Sequence, residues 1–272
     1  MTMPAATPGE TIVPLFFGPE SSLYGCYHLP PDYRRQPGVL ICQPTGHEYE
    51  RCHRAMRQLA VQAARKGLSA MRFDYFATGD SAGDCAELSL ARMRQDVQQA
   101  LRHCLAKTGS GRLTLVGIRL GATLAAQLAG GSNQVESLVL YAPVFDGNAL
   151  LDEWQRDQQT FHDKHNYPRQ QIEDDEILGF VVPETFKAEL RAQFGPAPAG
   201  GTLKRVLILT DAAEIGSAPA NRWTEAFERQ SVEVTIEAVE NIAIWRREPM
   251  EAIVPAKAIR RIIQWIMEAE HA

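Results

Sequence analysis

The residues best placed to do chemistry lie in the run RLTLVGIRLGATLAAQLAG, residues 112–130, where Gly117 and Gly121 flank Arg119. A buried strand, a sharp turn and a helix of small residues follow one another there, which is the frame of a nucleophile elbow, G-x-S-x-G. Glycines suit that frame because a tight strand-to-helix turn leaves no room for side chains beside the middle residue. A serine in the middle would sit at a helix N-terminus, where backbone N–H groups and the helix dipole stabilise an oxyanion. Arg119 stands there instead. Arginine keeps its proton at any working pH and cannot be the nucleophile. Its cation, added to the positive helix end, calls for an anion. One reading is an internal salt bridge, because a partly buried guanidinium left unpaired is costly; Glu48 is the first choice of partner, with Glu50, Asp74 and Glu214 as the other candidates. The second reading is a clamp on a substrate carboxylate or phosphate, using arginine's bidentate geometry.

In elbow enzymes an acid and then a histidine follow the nucleophile along the chain. The strand-like RVLILT is followed by DAAEIG, so Asp211 or Glu214 occupies the acid region. The loop after VEVTI reads EAVENIAIWRREPMEAIVP and holds no histidine. After His165 the only histidine is His271, a tail residue, while His47, His53, His162 and His165 read as polar surface or capping residues. Two relocated chemistries remain open. Cys42 or Cys52 could attack a thioester with His47 or His53 as base. Alternatively, Arg119 and the helix N-terminus could stabilise an oxyanion or enolate while Glu48 or Asp74 moves a proton, which would make the protein a lyase, cyclase or isomerase.

The elements that must position these groups follow from periodicity. Strand-length apolar runs occur at 11–17, 22–28, 38–42, 69–73, 112–117, 135–141, 205–210 and 232–236, and helical patterns at 50–66, 88–107, 120–130, 219–230 and 255–269. Strands alternating with helices imply an α/β fold with a mostly parallel central sheet flanked by helices. The first two runs, joined by GPESS, read as an antiparallel hairpin leading into that sheet. Residues 145–200 break the rhythm: they are polar and acidic, lack a clear strand, and end in the loop GPAPAGG. The expected organisation is therefore a core of 1–144 and 201–272 with a helical cap at 145–200. The cap should lie over the sheet's carboxyl edge, where ligands bind in open α/β sheets.

Composition narrows the partners. The chain has 272 residues, a net charge of -5 and a pI near 5.8. Nucleic-acid binding normally needs a basic patch or a pI above about 9, so no nucleic acid is expected. No stretch approaches the roughly 18 apolar residues of a spanning helix, and the N-terminus lacks the pattern of a signal peptide; the expected location is the cytoplasm, away from membranes. Cys26, Cys42, Cys52, Cys85 and Cys104 are scattered and odd in number, which suits reduced thiols rather than a zinc or redox site. The turn at 117–121 lacks the Lys-Ser/Thr ending of a P-loop, and no cofactor and no metal are expected. A homodimer through the sheet edge or the cap is left open.

Four separated segments, ICQPTGHEYERCHRAMRQLA, RFDYFATGDSAGD, GIRLGATLAAQLA and DDEILGF, resemble the serine aminopeptidase-like α/β-hydrolases, especially those associated with exosortase systems or encoded beside biosynthetic clusters. The resemblance covers most of residues 37–130 and part of the cap. It implies an α/β-hydrolase fold, an acyl or ester substrate class, and a pocket under the cap. It also implies an oxyanion hole from the loop at Gln43, Pro44 and Thr45 plus the Leu120 backbone N–H. Asp74, Gly79, Ser81 and Gly83 then shape a turn, with Ser81 a structural hydroxyl. The departures are Arg119 in the place of the family's serine, and Asn241, Ile242 or Trp245 where its histidine would be. The resulting expectation is a protein that is not a conventional esterase. It binds an acyl- or carboxylate-bearing small molecule, or a carrier-linked intermediate, in a pocket to which Trp245 also belongs.

Overall fold

In the computed structural model, residues 11–31, 38–109, 111–165, 175–192, 194–196, 201–251 and 253–270 are described. Thr11–Phe17 and Leu23–Leu29 form β1 and β2, an antiparallel hairpin in which Thr11 opposes Leu29 and Phe17 opposes Leu23. Strands and helices then alternate: β3 (Gly38–Cys42), α1 (His47–Arg65), β4 (Ser69–Phe73), α2 (Leu90–Thr108), β5 (Leu113–Ile118), α3 (Leu120–Ala129) and β6 (Val135–Tyr141). A second segment intervenes, made of α4 (Gly147–His165), the two-residue strands β7 (Glu176–Ile177) and β8 (Phe180–Val181), and α5 (Glu184–Ala192). The alternation resumes with β9 (Arg205–Thr210), α6 (Ala218–Glu228), β10 (Glu233–Ala238) and α7 (Ala256–Glu270).

The main sheet runs β1-β2-β4-β3-β5-β6-β9-β10. Its β2 is antiparallel to both β1 and β4, and all later pairs are parallel. The side chains of β3, β5, β6 and β9 divide between two cores because successive residues of a strand point to opposite faces. Leu40, Leu115, Leu138 and Ile208 pack with Met93 and Val97 of α2, Leu124 of α3 and Trp223 and Phe227 of α6. Their neighbours Ile41, Val116, Val139 and Leu207 pack with Met56 and Leu59 of α1 and Ile262 and Ile266 of α7 on the other face. Each such side chain contributes roughly 1.5–3 kcal/mol by leaving water, so the layered sandwich is the dominant source of stability.

Two differences from the sequence reading bear on the site. Helix α1 begins at His47, because Gly46 turns the chain at φ 60, ψ -144, and this brings His47 and Glu48 into its first turn. The described residues of the segment 145–200 are mainly helical, but they also carry the β7–β8 antiparallel pair, whose strands are too short to leave a pattern in sequence. Among the described residues no helix is long and apolar enough to cross a membrane.

Candidate functional site

The turn between β5 and α3 is shaped by its glycines. A Cβ on Gly117 would strike the backbone of Ala122, and one on Gly121 would strike the carbonyl oxygens of Cys42 and Gln43. Between them Arg119 is held at φ 54, ψ -123, a strained conformation for a residue with a side chain. Its N–H donates to the Tyr141 carbonyl at 3.0 Å, and its own carbonyl accepts from the Ala122 N–H at 2.9 Å. The chain at this point is thus bound to both β6 and α3.

The side chain of Arg119 turns into the protein and is 6% exposed. Nε lies 3.1 and 3.2 Å from the two Glu48 carboxylate oxygens, and Nη2 lies 2.9 Å from Glu48 Oε1 and 2.7 Å from Glu153 Oε2. The guanidinium also stacks on the Trp245 ring, 4.0 Å from its centroid. Both carboxylates have further donors: the Trp154 indole N–H reaches Glu48 at 3.0 Å and the Trp245 indole N–H reaches Glu153 at 2.9 Å. Arg246 extends the chain of charges, 3.0 Å from Glu153 and 3.5 Å from Asp157. A ladder Glu48–Arg119–Glu153–Arg246–Asp157 therefore joins α1, the elbow, α4 and the loop after β10.

The electrostatics follow from this packing. Burial works against the Arg119 cation, but Glu48 and Glu153 more than offset it and hold the guanidinium firmly protonated. Burial pushes the Glu48 carboxyl up, opposed by Arg119 and the Trp154 N–H. Burial alone would also raise Glu153, yet Arg119, the Trp245 N–H and Arg246 keep it below the ordinary carboxylate value. His47 packs edge-on to Trp154, and its Nε2 is buried without a hydrogen-bond partner. Its imidazole is pushed down to about 3 by burial, aided by Arg51 and Arg119.

Above the ladder is a cavity of about 310 Å³. Arg119 forms part of its floor, together with Ala142, Pro143 and Val144 after β6 and Thr210 and Asp211 at the end of β9. Ala149, Leu150 and Glu153 bring α4 over it, and Ile242, Trp245 and Arg246 close the side after β10. The cavity therefore lies at the carboxyl ends of the parallel strands, where open α/β sheets place ligands. Among the described residues no group of three or more His, Cys, Asp or Glu is arranged to hold a metal ion.

No protein-family model matches the sequence, and no curated protein matches it. Solved structures do. The chain superposes on the esterase Est1E from Butyrivibrio proteoclasticus, solved with ferulic acid bound, with a TM-score of 0.62 at 13% identity over 92% of this chain and 96% of that one. It superposes on Thermogutta terrifontis esterase 2 with a TM-score of 0.57 at 16% identity, covering 99% and 98%. The bottromycin epimerase BotH gives 0.59 at 16% identity, covering 93% and 98%. The chain has the α/β-hydrolase fold.

Within that fold, Arg119 at the turn between β5 and α3 is a buried, doubly paired cation. After β9, Asp211 and Glu214 are exposed at the cavity; Asp211 accepts from the Ala213 N–H at 2.9 Å and Glu214 from the Ser217 hydroxyl at 3.3 Å. Of the three residues expected at the histidine position after β10, Ile242 and Trp245 line the cavity, while Asn241 is exposed and outside its lining. His271 lies outside the described residues.

Of the residues singled out from sequence, Arg119, Asp211, Glu214 and Trp245 line the cavity, and Cys42, Gln43, Pro44, Thr45, Glu48, Asp74 and Leu120 do not. Gln43 donates to Asp74 at 2.6 Å, and Asp74 also accepts from the Tyr49 hydroxyl and the Asp80 N–H, so that pair braces a turn. Ser81 donates to the Asp74 carbonyl and accepts from the Tyr24 N–H, which is a structural arrangement. Thr45 lines a separate, smaller cavity of about 200 Å³. Glu50 is exposed and takes no part in the ladder. Cys42 and Cys52 are 0% exposed, and burial pushes both thiols up, so neither presents a thiolate. His53 Nε2 accepts from Arg72 at 3.3 Å, and His162 and His165 lie at the far end of α4. Sequence reasoning missed Glu153, Trp154 and Arg246. Their signal was present as Glu153 and Asp157 one helical turn apart around Trp154, opposite the tandem Arg246–Arg247.

Proposed function

We propose that this chain is a hydrolase-fold protein without triad acyl-transfer chemistry, which binds a small molecule in the cavity above Arg119 and uses residues 145–200 as a lid over it. One observation carries the reading: the guanidinium at the nucleophile position is committed to Glu48 and Glu153 and stacked on Trp245. It has no nucleophilic electrons, and a ligand carboxylate would have to displace two internal ones to use it as a clamp. Neither the loop after β9 nor the loop after β10 contains a histidine to serve as base. Loss of nucleophile and base together leaves only the contributions of binding and of backbone N–H groups.

The cysteine alternative lacks support because both candidate thiols are buried with raised pKa values and stand off the cavity. Proton transfer by Glu48 or Asp74 meets the same difficulty, since neither lines it. Fold alone does not argue for hydrolysis, and a protein named as an epimerase shares this one. The test is hydrolysis of p-nitrophenyl acetate, butyrate and octanoate and of butyryl-coenzyme A by the purified protein near neutral pH. The expected rates equal the buffer blank. Sustained turnover that disappears in Arg119→Ala would overturn the proposal.

A further inference from the structure

We infer that the cavity takes an apolar small molecule bearing an amine, and disfavours one bearing a free carboxylate or phosphate. The inference rests on the reading of this cavity as a binding site. Its walls carry the carboxylates of Asp146, Glu153, Asp211 and Glu214 against the guanidinium groups of Arg119 and Arg246. Both guanidiniums are already engaged: Arg119 with Glu48 and Glu153, and Arg246 with Glu153 and Asp157. The other three carboxylates meet only neutral donors. Asp146 accepts from the backbone N–H groups of Asn148 and Ala149 at 2.8 and 3.0 Å, Asp211 from that of Ala213, and Glu214 from the Ser217 hydroxyl. None of the three has a cationic partner among the described residues.

A second observation points to a hydrogen-bonding ligand. Thr210, at the end of β9, lines the cavity and is only 3% exposed, yet its hydroxyl has no hydrogen-bond partner among the described residues. A hydroxyl oxygen accepts readily from an ammonium or amine N–H. The intervening wall is apolar, with Val144, Phe145, Leu150 and Ile242, and suits a hydrocarbon body. A ligand carboxylate would meet three like charges, while the two cations at the cavity, Arg119 and Arg246, are already paired with internal carboxylates.

The test uses three probes of one skeleton, phenethylamine, 3-phenylpropanamide and 3-phenylpropanoate, titrated calorimetrically into the full-length protein. The amine is expected to bind about fivefold or more tighter than the carboxylate, the size that two solvent-exposed ion pairs supply, with a gap that narrows in high salt. In the Asp211→Asn/Glu214→Gln variant, whose side chains can keep their hydrogen bonds, the gap is expected to narrow, with Asp146 the remaining unpaired carboxylate. Equal binding of all three probes, tighter binding of the carboxylate, or a preference unchanged in that variant overturns this inference and leaves the binding site standing. Binding of none of them at millimolar concentration overturns both.

Discussion

His47 and Glu48 are consecutive, both buried, and respond to pH in opposite senses. The folded state holds His47 neutral down to about 3, whereas an unfolded imidazole takes up its proton near its ordinary value of 6.5. Between those values the unfolded chain binds more protons, so this residue makes stability fall as the pH drops through that window. Glu48 is raised instead, so its contribution falls as the pH rises above the ordinary carboxylate range. Comparing His47→Phe with the wild type by urea unfolding at several pH values isolates the first effect. The variant is expected to gain on the wild type on acidification from 6.5 toward 3, with a slope approaching one proton, about 1.4 kcal/mol per pH unit. Parallel curves would show that His47 is not held neutral. Glu48 was legible in sequence as a candidate partner of Arg119 because β3 lies beside β5 and the chain leaving β3 passes against the elbow. Glu153 was not, because which face of α4 turns toward the sheet is decided by the packing of Leu150, Leu151 and Trp154, and helical periodicity leaves that partner unspecified.

At the scale of elements, the elbow depends on the close approach of α3 to the chain leaving β3. Gly121→Ala sets a methyl group against the Cys42 and Gln43 carbonyls, and neither backbone can retreat without disturbing the sheet. A loss of about 1–3 kcal/mol or more is expected, read by thermal unfolding. Gly131→Ala serves as the control, because nothing lies within 4 Å of the added Cβ, and its effect should stay within about 0.5 kcal/mol. Equal effects at the two positions would contradict the account of the turn. The buried strands were legible because their apolar runs are short and bounded by turn residues, and α2, with Ser89 at its N-cap and a left-handed Gly109 after it, carries its own start and stop signals. The start of α1 was placed late, since its opening residues His47, Glu48 and Tyr49 break the helical pattern of apolar residues while the bend that starts it sits on Gly46.

For the whole molecule, the two-layer burial makes a prediction about thiols. Cys26, Cys42, Cys52 and Cys104 are buried and Cys85 is exposed. A disulfide reagent applied to the native protein should modify one thiol quickly and the other four only on unfolding. Rapid reaction of Cys42 or Cys52 would revive a cysteine-based chemistry. The sheet's alternating topology was readable from the order of its elements, but the joining of α1, the elbow, α4 and the β10–α7 loop by one ladder of charges is a long-range property, with Glu48 and Arg246 far apart in sequence and both near Arg119 in space. The structural role of Arg119 lies in that ladder, and its most direct measurement is a double-mutant cycle of Arg119→Met and Glu48→Gln on the free energy of unfolding. The expected result is a severe loss for Arg119→Met, about 3–5 kcal/mol from an uncompensated buried carboxylate, with a coupling to Glu48 of about 2 kcal/mol or more. Additive single effects, with no coupling, would mean that Arg119 is free to act on a ligand and would contradict its role as a structural cation.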